Sequence, residues 1–265
     1  MNSKKYITAH PAVIAVWAAV VAAGYLIPAF PILGTGANFT FANVLNPLSG
    51  ILFGPIGGAL CSAIGGFIGF FIAPIKPMMG PWGFIIAMTT AFTAGCIAWG
   101  RWPLISVSNN GSFIINGGII VYIIGTILWF TQEIGRSVIF LPIIFYGLGF
   151  TAMITGIIFS YKILTGKNYF LKMAAVWLCS FGGLIGGATV GNFFSLVLIR
   201  QPKEVWAVIT VLAPIERAVF ALAAMLIGVP LLKGLNKMGI TAGPQSELAE
   251  NIQSNNFQAE KNHED

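Results

Sequence analysis

Long apolar runs alternate along the chain with short polar or Gly/Pro-rich breaks, and the lengths of the runs set the architecture. They extend from Pro11 to Phe30, Pro81 to Gly100, Phe113 to Phe130, Val138 to Tyr161, Leu171 to Ile199 and Trp206 to Leu232. A bilayer core of about 30 Å needs roughly 20 apolar residues per helix, so each run predicts a membrane-spanning helix. A further run, Phe41 to Ala73, is too long for one simple span and is interrupted by Gly54-Pro55. Proline removes a helical N–H and disfavours helix at the preceding residue. This run is therefore either two short helices joined by a tight turn or one kinked helix.

Lysine and arginine in short loops favour the cytoplasmic side. With a single kinked helix, the basic loop residues divide evenly between the two sides. With a hairpin, Lys4, Lys5, Arg101, Lys162, Lys167, Lys172, Lys233 and Lys237 gather on one side, against Lys76, Arg136, Arg200 and Lys203 on the other. That asymmetry favours the hairpin. The expected fold is all-α: a polytopic membrane helix bundle of about six to eight transmembrane segments with both termini cytoplasmic. Residues 1–240 are expected to form a single transmembrane helical domain. The Asn/Gln/Glu-rich residues 241–265 are expected to form a disordered polar cytoplasmic tail. Lys4, Lys5 and the small residues Val21-Ala22-Ala23 resemble a secretory signal, but the apolar run continues through Tyr25, Leu26 and Ile27, which fits a retained first helix.

Composition sharpens this picture. Of 265 residues, 57% are hydrophobic and 8% charged, with a mean hydropathy of +0.85; soluble domains carry roughly 25% charged residues. The expected localisation is the cell membrane, as a multi-pass protein. The net charge of +6 combines a basic body with an acidic tail, in which five acids face one lysine after Thr241. In a body this apolar, the basic excess reports topology and not a nucleic-acid partner. Cys61, Cys96 and Cys179 stand singly in apolar stretches, so neither a disulfide framework nor a metal site is indicated.

Small residues recur at helical spacing: Ala15, Ala19 and Ala23 with Ala18 and Ala22 beside them, Gly65 with Gly69, and Gly183, Gly187 and Gly191. Such rows let helices approach closely in lipid, within one bundle or against a separate membrane protein. The stretch NVLNPLSGILFGPIGGALCSAIGGFIG, residues 43–69, the AxxxA row of the first helix, the uncharged loop after it and the last helix PIERAVFALAAMLIGVPLLKGL together resemble the substrate-binding S components of energy-coupling factor (ECF) vitamin transporters. Those proteins usually have six helices, fewer than the segments counted here.

The resemblance implies a membrane-embedded subunit that captures a vitamin or related small molecule at the extracellular side. It implies delivery with a separate transmembrane coupling (T) protein and two cytoplasmic ATPases. ATP would be used by those partners, with no cofactor bound by this chain and no chemistry performed by it. Ala15, Ala19 and Ala23 match the coupling motif, with Ala18 and Ala22 as a second register. The loop after the first helix closes over substrate in that family, which points to Asn38, Phe39 and Asn43.

The charged residues supply the remaining substrate-binding candidates, because ionisable groups at membrane depth are expensive. In the hairpin topology Glu133 with Arg136, Glu204 with Arg200 and Lys203, and Glu216 with Arg217 share the outer face, with Trp82, Trp129 and Trp206 near the same level. Glu133, Arg136, Glu216, Arg217 and Trp82 are the candidates from this set. A surface ion pair at i,i+3 spacing and an interfacial tryptophan belt are the structural readings of the same residues. Adjacent helical residues point about 100° apart, so Glu216 and Arg217 are expected to seek partners other than each other. Asn116, Tyr122, Asn192 and Ser195 read as interhelical hydrogen bonds.

An intramembrane protease lacks its parts, since the histidines are His10 and His263 and the sole aspartate is Asp265. The chain is therefore read as no enzyme. The competing reading is a stand-alone secondary transporter or channel for a small solute, favoured by the Gly54-Pro55 break and the repeated glycine texture.

Overall fold

The computed structural model describes residues 10–31, 38–73, 79–100, 103–107, 113–240 and 242–245. Lys4, Lys5, Lys76, Arg101 and almost all of the expected tail lie outside them.

Among the described residues there are eight α-helices: α1 (Pro11–Gly24), α2 (Ala42–Ile72), α3 (Gly83–Trp99), α4 (Gly117–Thr131), α5 (Glu133–Ser137), α6 (Gly147–Thr165), α7 (Tyr169–Leu198) and α8 (Lys203–Lys237). A 3-10 turn (Gly80–Trp82) leads into α3 and a π turn (Pro142–Tyr146) into α6. Among the described residues, five segments are long and apolar enough to cross a membrane: Ala42–Ile72, Gly80–Trp99, Pro142–Thr165, Tyr169–Leu198 and Lys203–Lys237. Pro11–Gly24 and Gly117–Thr131 are shorter apolar helices. The protein is an all-α membrane helix bundle.

The helix α2 folds back on itself. Gly54 adopts φ 80, ψ 174, a conformation open to glycine, and Pro55 follows without an N–H. Beyond the turn, Gly58 sits against the Gly50 backbone, where any side chain would collide. In a straight helix those two glycines would lie about 12 Å apart. The neighbours show the same reversal. Trp17 Nε1 donates to Ser49 Oγ at 2.8 Å and Gly24 lies on Ala42 and Leu45, so α1 runs antiparallel to residues 42–53. Cys61 Sγ meets the Ile14 carbonyl at 3.5 Å while Gly65 lies on Val21 and Gly69 on Tyr25, so α1 runs parallel to residues 55–72. The first arm, twelve residues, reaches about 18 Å and crosses only part of a bilayer core.

Carbonyls freed by this turn find other donors. Trp99 Nε1 donates to the Ile51 carbonyl at 3.2 Å, and the Gly243 N–H to that of Leu52 at 2.7 Å. The segment after α8 thus closes the turn end of the bundle, with Gln245 Nε2 bonded to the Leu164 carbonyl.

An apolar core is joined here by an apolar outer surface. The glycine row of α7 lies along α3, with Gly183 on Ala94, Gly187 on Thr90 and Gly191 on Ile86. Large apolar side chains such as Val16, Phe71, Phe140, Ile158 and Val211 point outward. Lipid removes the penalty for exposing them and rewards close backbone approach inside.

Three boundaries differ from expectation. The first run ends as helix at Gly24, and Pro28–Pro31 instead forms strand β1, antiparallel to β2 (Asn38–Thr40); Pro28 and Pro31 lack the N–H a helix interior uses and disfavour helix there. Pro103–Val107 and Phe113–Asn116 pair as β3 and β4, so the Phe113 run becomes helix only at Gly117, where Asn116 Oδ1 accepts from the Gly118 N–H. The last run is longer as a helix than as an apolar stretch: α8 extends from Lys203 to Lys237 and is continuous through Pro214.

Candidate functional site: a cavity behind the β1–β2 hairpin

At the end of the bundle opposite the Gly54 turn lies a cavity of about 170 Å³. One wall is β2 and the start of α2, with Asn38, Phe39, Thr40, Asn43 and Asn46. Opposite stands α8, whose Trp206, Ile209, Ala213, Glu216 and Arg217 recur at the helical period and so share one face. Ile86, Ala87 and Thr90 of α3, Phe145 of the π turn, and Ala188, Gly191, Asn192 and Ser195 of α7 complete it. Largely apolar walls with a few placed polar groups are the usual make-up of a small-molecule site.

Asn38, Phe39, Asn43, Glu216 and Arg217 all line the cavity, so the structure brings together the loop and last-helix candidates. Trp82, Glu133 and Arg136 lie outside it. Trp82 is 52% exposed on the 3-10 turn, and Glu133 and Arg136 are exposed on α5. Trp129 and Trp206 form no interfacial belt. They are 0% and 1% exposed, edge-to-face at 4.9 Å inside the bundle.

Glu216 and Arg217, expected to seek partners elsewhere, meet each other as well. Arg217 Nη1 stands 3.7 Å from Glu216 Oε2, because the long arginine stem bridges the angular offset that the backbone imposes. The guanidinium also lies over the Phe39 ring, 4.6 Å from its centroid, and Phe39 meets Phe220 edge-to-face at 5.8 Å. A cation over an aromatic face is held by the ring quadrupole, most strongly where water is excluded.

Several lining residues escaped the sequence reading. Gln201 is 5% exposed despite standing between Arg200 and Lys203. Arg200, at φ 54, adopts the left-handed conformation that β-branched residues avoid, and the chain then turns Gln201 inward, where its Oε1 lies 3.4 Å from Ser195 Oγ. Tyr25 and Thr90 likewise line the cavity, and no local pattern marks them. Asn192 and Ser195 do both jobs: Asn192 Nδ2 donates to the Tyr146 hydroxyl at 3.1 Å, and both side chains reach the cavity wall. Asn116 and Tyr122 bond across helices, to the Cys96 and Gly182 carbonyls, and Asn116 also caps α4.

On α1, Ala15, Ala19 and Ala23 are exposed, whereas Ala18 and Ala22 are buried against the bundle. The two alanine registers therefore have different roles, one packing internally and one facing outward. Among the described residues, no group of three or more His, Cys, Asp or Glu side chains is placed to hold a metal ion.

Over 178 residues, 66% of this chain, the sequence is 22% identical to an uncharacterized protein of Methanocaldococcus jannaschii. The match covers 54% of that protein, so the chain spans about half the length of the relative it matches. No family model matches the chain. No solved structure matches it either.

Proposed function

We propose that this chain is the substrate-capture subunit of an ECF-type importer, binding a vitamin-like small molecule in the cavity behind the β1–β2 hairpin. The observation that carries the reading is the cavity itself. Asn46 Oδ1, Gln201 Nε2, Trp206 Nε1 and Arg217 Nη1 are buried in its lining without hydrogen-bond partners. Each such atom costs about 1–3 kcal/mol, a cost that a solute hydrogen-bonded to it would remove. The positive charge balance of the loops at the turn end orients that end to the cytoplasm and the cavity to the outside. The exposed Ala15, Ala19 and Ala23 row offers the smooth face that a transmembrane coupling protein needs, and two ATPases then drive release.

A second reading has one observation in its favour. Glu216 and Arg217 lie fourteen residues or so into a 35-residue helix that also contains Pro214, and broken helices with intramembrane charges are how secondary transporters couple to ions. The two readings separate in one experiment. Purified from its native membrane, a capture subunit brings a coupling protein and ATPases with it, and Ala19→Trp releases those partners while keeping the bound molecule. Uptake by the chain alone in liposomes under an ion gradient overturns the proposal in favour of the second reading.

A further inference from the structure

The kind of molecule that fits follows from the cavity's polar atoms, on the premise that it is a capture site. Of the four buried atoms without a hydrogen bond, Arg217 Nη1, which is ion-paired to Glu216, Gln201 Nε2 and Trp206 Nε1 donate and Asn46 Oδ1 accepts. Asn46 and Gln201 are 4% and 5% exposed, so water does not serve them freely. With the Glu216 carboxylate in the same lining, the cavity asks for both acceptors and donors.

Charge narrows the class further. Among the described lining residues, Arg217 is the cation and Glu216 the acid, and at 3.7 Å they attract without sharing a hydrogen bond. The site is formally neutral. A ligand bearing net charge would leave that charge uncompensated away from water, which is costly. A dianion such as phosphate would find a single guanidinium and a repelling carboxylate. Length enters as well: Trp206 and Arg217 are eleven residues apart on one face of α8, about 16 Å at 1.5 Å per residue. Their backbone positions thus stand at different levels of the α8 wall.

We infer that the cavity takes a small molecule of zero net charge that carries both acceptors and donors. It sets an acceptor against Arg217 and an N–H against Glu216 at one end, and a further acceptor against Gln201 and Trp206 at the other. Two chemistries present the first pair: the carboxylate and ammonium of a zwitterion, or the carbonyl and N–H of an uncharged amide or ureide heterocycle. Phe39 holds the guanidinium in place for either.

The test uses the full chain purified in mild detergent from cells grown in rich medium. Non-lipid small molecules retained by the wild type, Glu216→Gln and Arg217→Gln are extracted and identified by accurate mass. The expected species is neutral overall at pH 7, its formula distinguishes zwitterion from heterocycle, and each variant retains at least tenfold less of it. A retained anion or cation overturns the inference and leaves capture standing. So does undiminished retention by Arg217→Gln, or greater retention by Glu216→Gln, the behaviour of an anion relieved of a carboxylate. A wild type that retains nothing overturns capture itself, and the inference with it. The wild-type arm needs no substitution, so a variant that fails to fold does not shelter the inference.

Discussion

The Arg217 guanidinium lies 4.6 Å above the centre of the Phe39 ring and so ties the last helix to the strand that covers the cavity. A desolvated contact of this kind contributes about 1–2 kcal/mol, or roughly five- to thirty-fold in affinity where ligand binding depends on it. Phe39→Leu keeps apolar bulk and removes the π face. It is expected to lower retention of the bound molecule by about tenfold with little change in thermal stability, measured by ligand extraction and by unfolding in detergent.

The Gly54 turn makes a contrast between glycines. A Cβ at Gly50 would be driven into the Ala91 carbonyl and one at Gly58 into Gly50, all backbone positions that cannot move aside. Gly50→Ala and Gly58→Ala should each cost about 1–3 kcal/mol or more. At Gly234, also inside a helix, nothing lies within 4 Å of the added carbon, so Gly234→Ala should gain up to about 1 kcal/mol from helix propensity. Melting temperatures of the three variants in one detergent check both signs.

Trp99 caps the carbonyl that the Gly54-Pro55 break leaves free. Trp99→Phe preserves most of the ring packing and removes the donor, leaving the Ile51 carbonyl unpaired in the core. A loss of about 1–3 kcal/mol is expected, read from the same unfolding measurement, with bound molecule still retained because the turn lies at the far end from the cavity.

Much of the membrane architecture was legible because lipid imposes long apolar runs, and Gly54-Pro55 marked the fold-back through local backbone chemistry. The strands were not legible: Pro28 and Pro31 signalled a helix stop, but pairing with residues 38–40 is a contact across a loop. Asn38, Phe39, Asn43, Glu216 and Arg217 stood out as polar or aromatic interruptions. Glu133 and Arg136 stood out equally and lie elsewhere, since charge at a membrane edge looks alike whether it faces water or a cavity. Gln201 left no trace, because its burial depends on the left-handed turn at Arg200. That Ala15, Ala19 and Ala23 face outward while Ala18 and Ala22 face inward depends on where α2 packs, which spacing alone does not say.

Those two alanine registers should separate in function. Replacement of Ala15, Ala19 or Ala23 by tryptophan is expected to leave folding and ligand retention intact and to abolish uptake. Ala18→Trp or Ala22→Trp should instead destabilise the bundle, by several kcal/mol given the overpacking of a buried site. Size-exclusion profiles and whole-cell uptake distinguish them.

Sidedness is open to direct labelling. Cys61, Cys96 and Cys179 are buried, so an introduced cysteine reports against a quiet background. A cysteine at 133, at the cavity end, should react with a membrane-impermeant maleimide in intact cells, and one at 162, near the turn end, only after lysis. The reverse pattern would place the cavity on the cytoplasmic side.

Ala213 faces the cavity from the middle of the α8 wall and is 4% exposed. The most direct measurement is the amount of small molecule that stays with purified Ala213→Trp, whose indole would fill the space a solute occupies. If the cavity is the capture site, the variant elutes as a monodisperse folded protein and carries no bound molecule, while Ala19→Trp carries as much as the wild type. Undiminished retention by a folded Ala213→Trp would contradict the account.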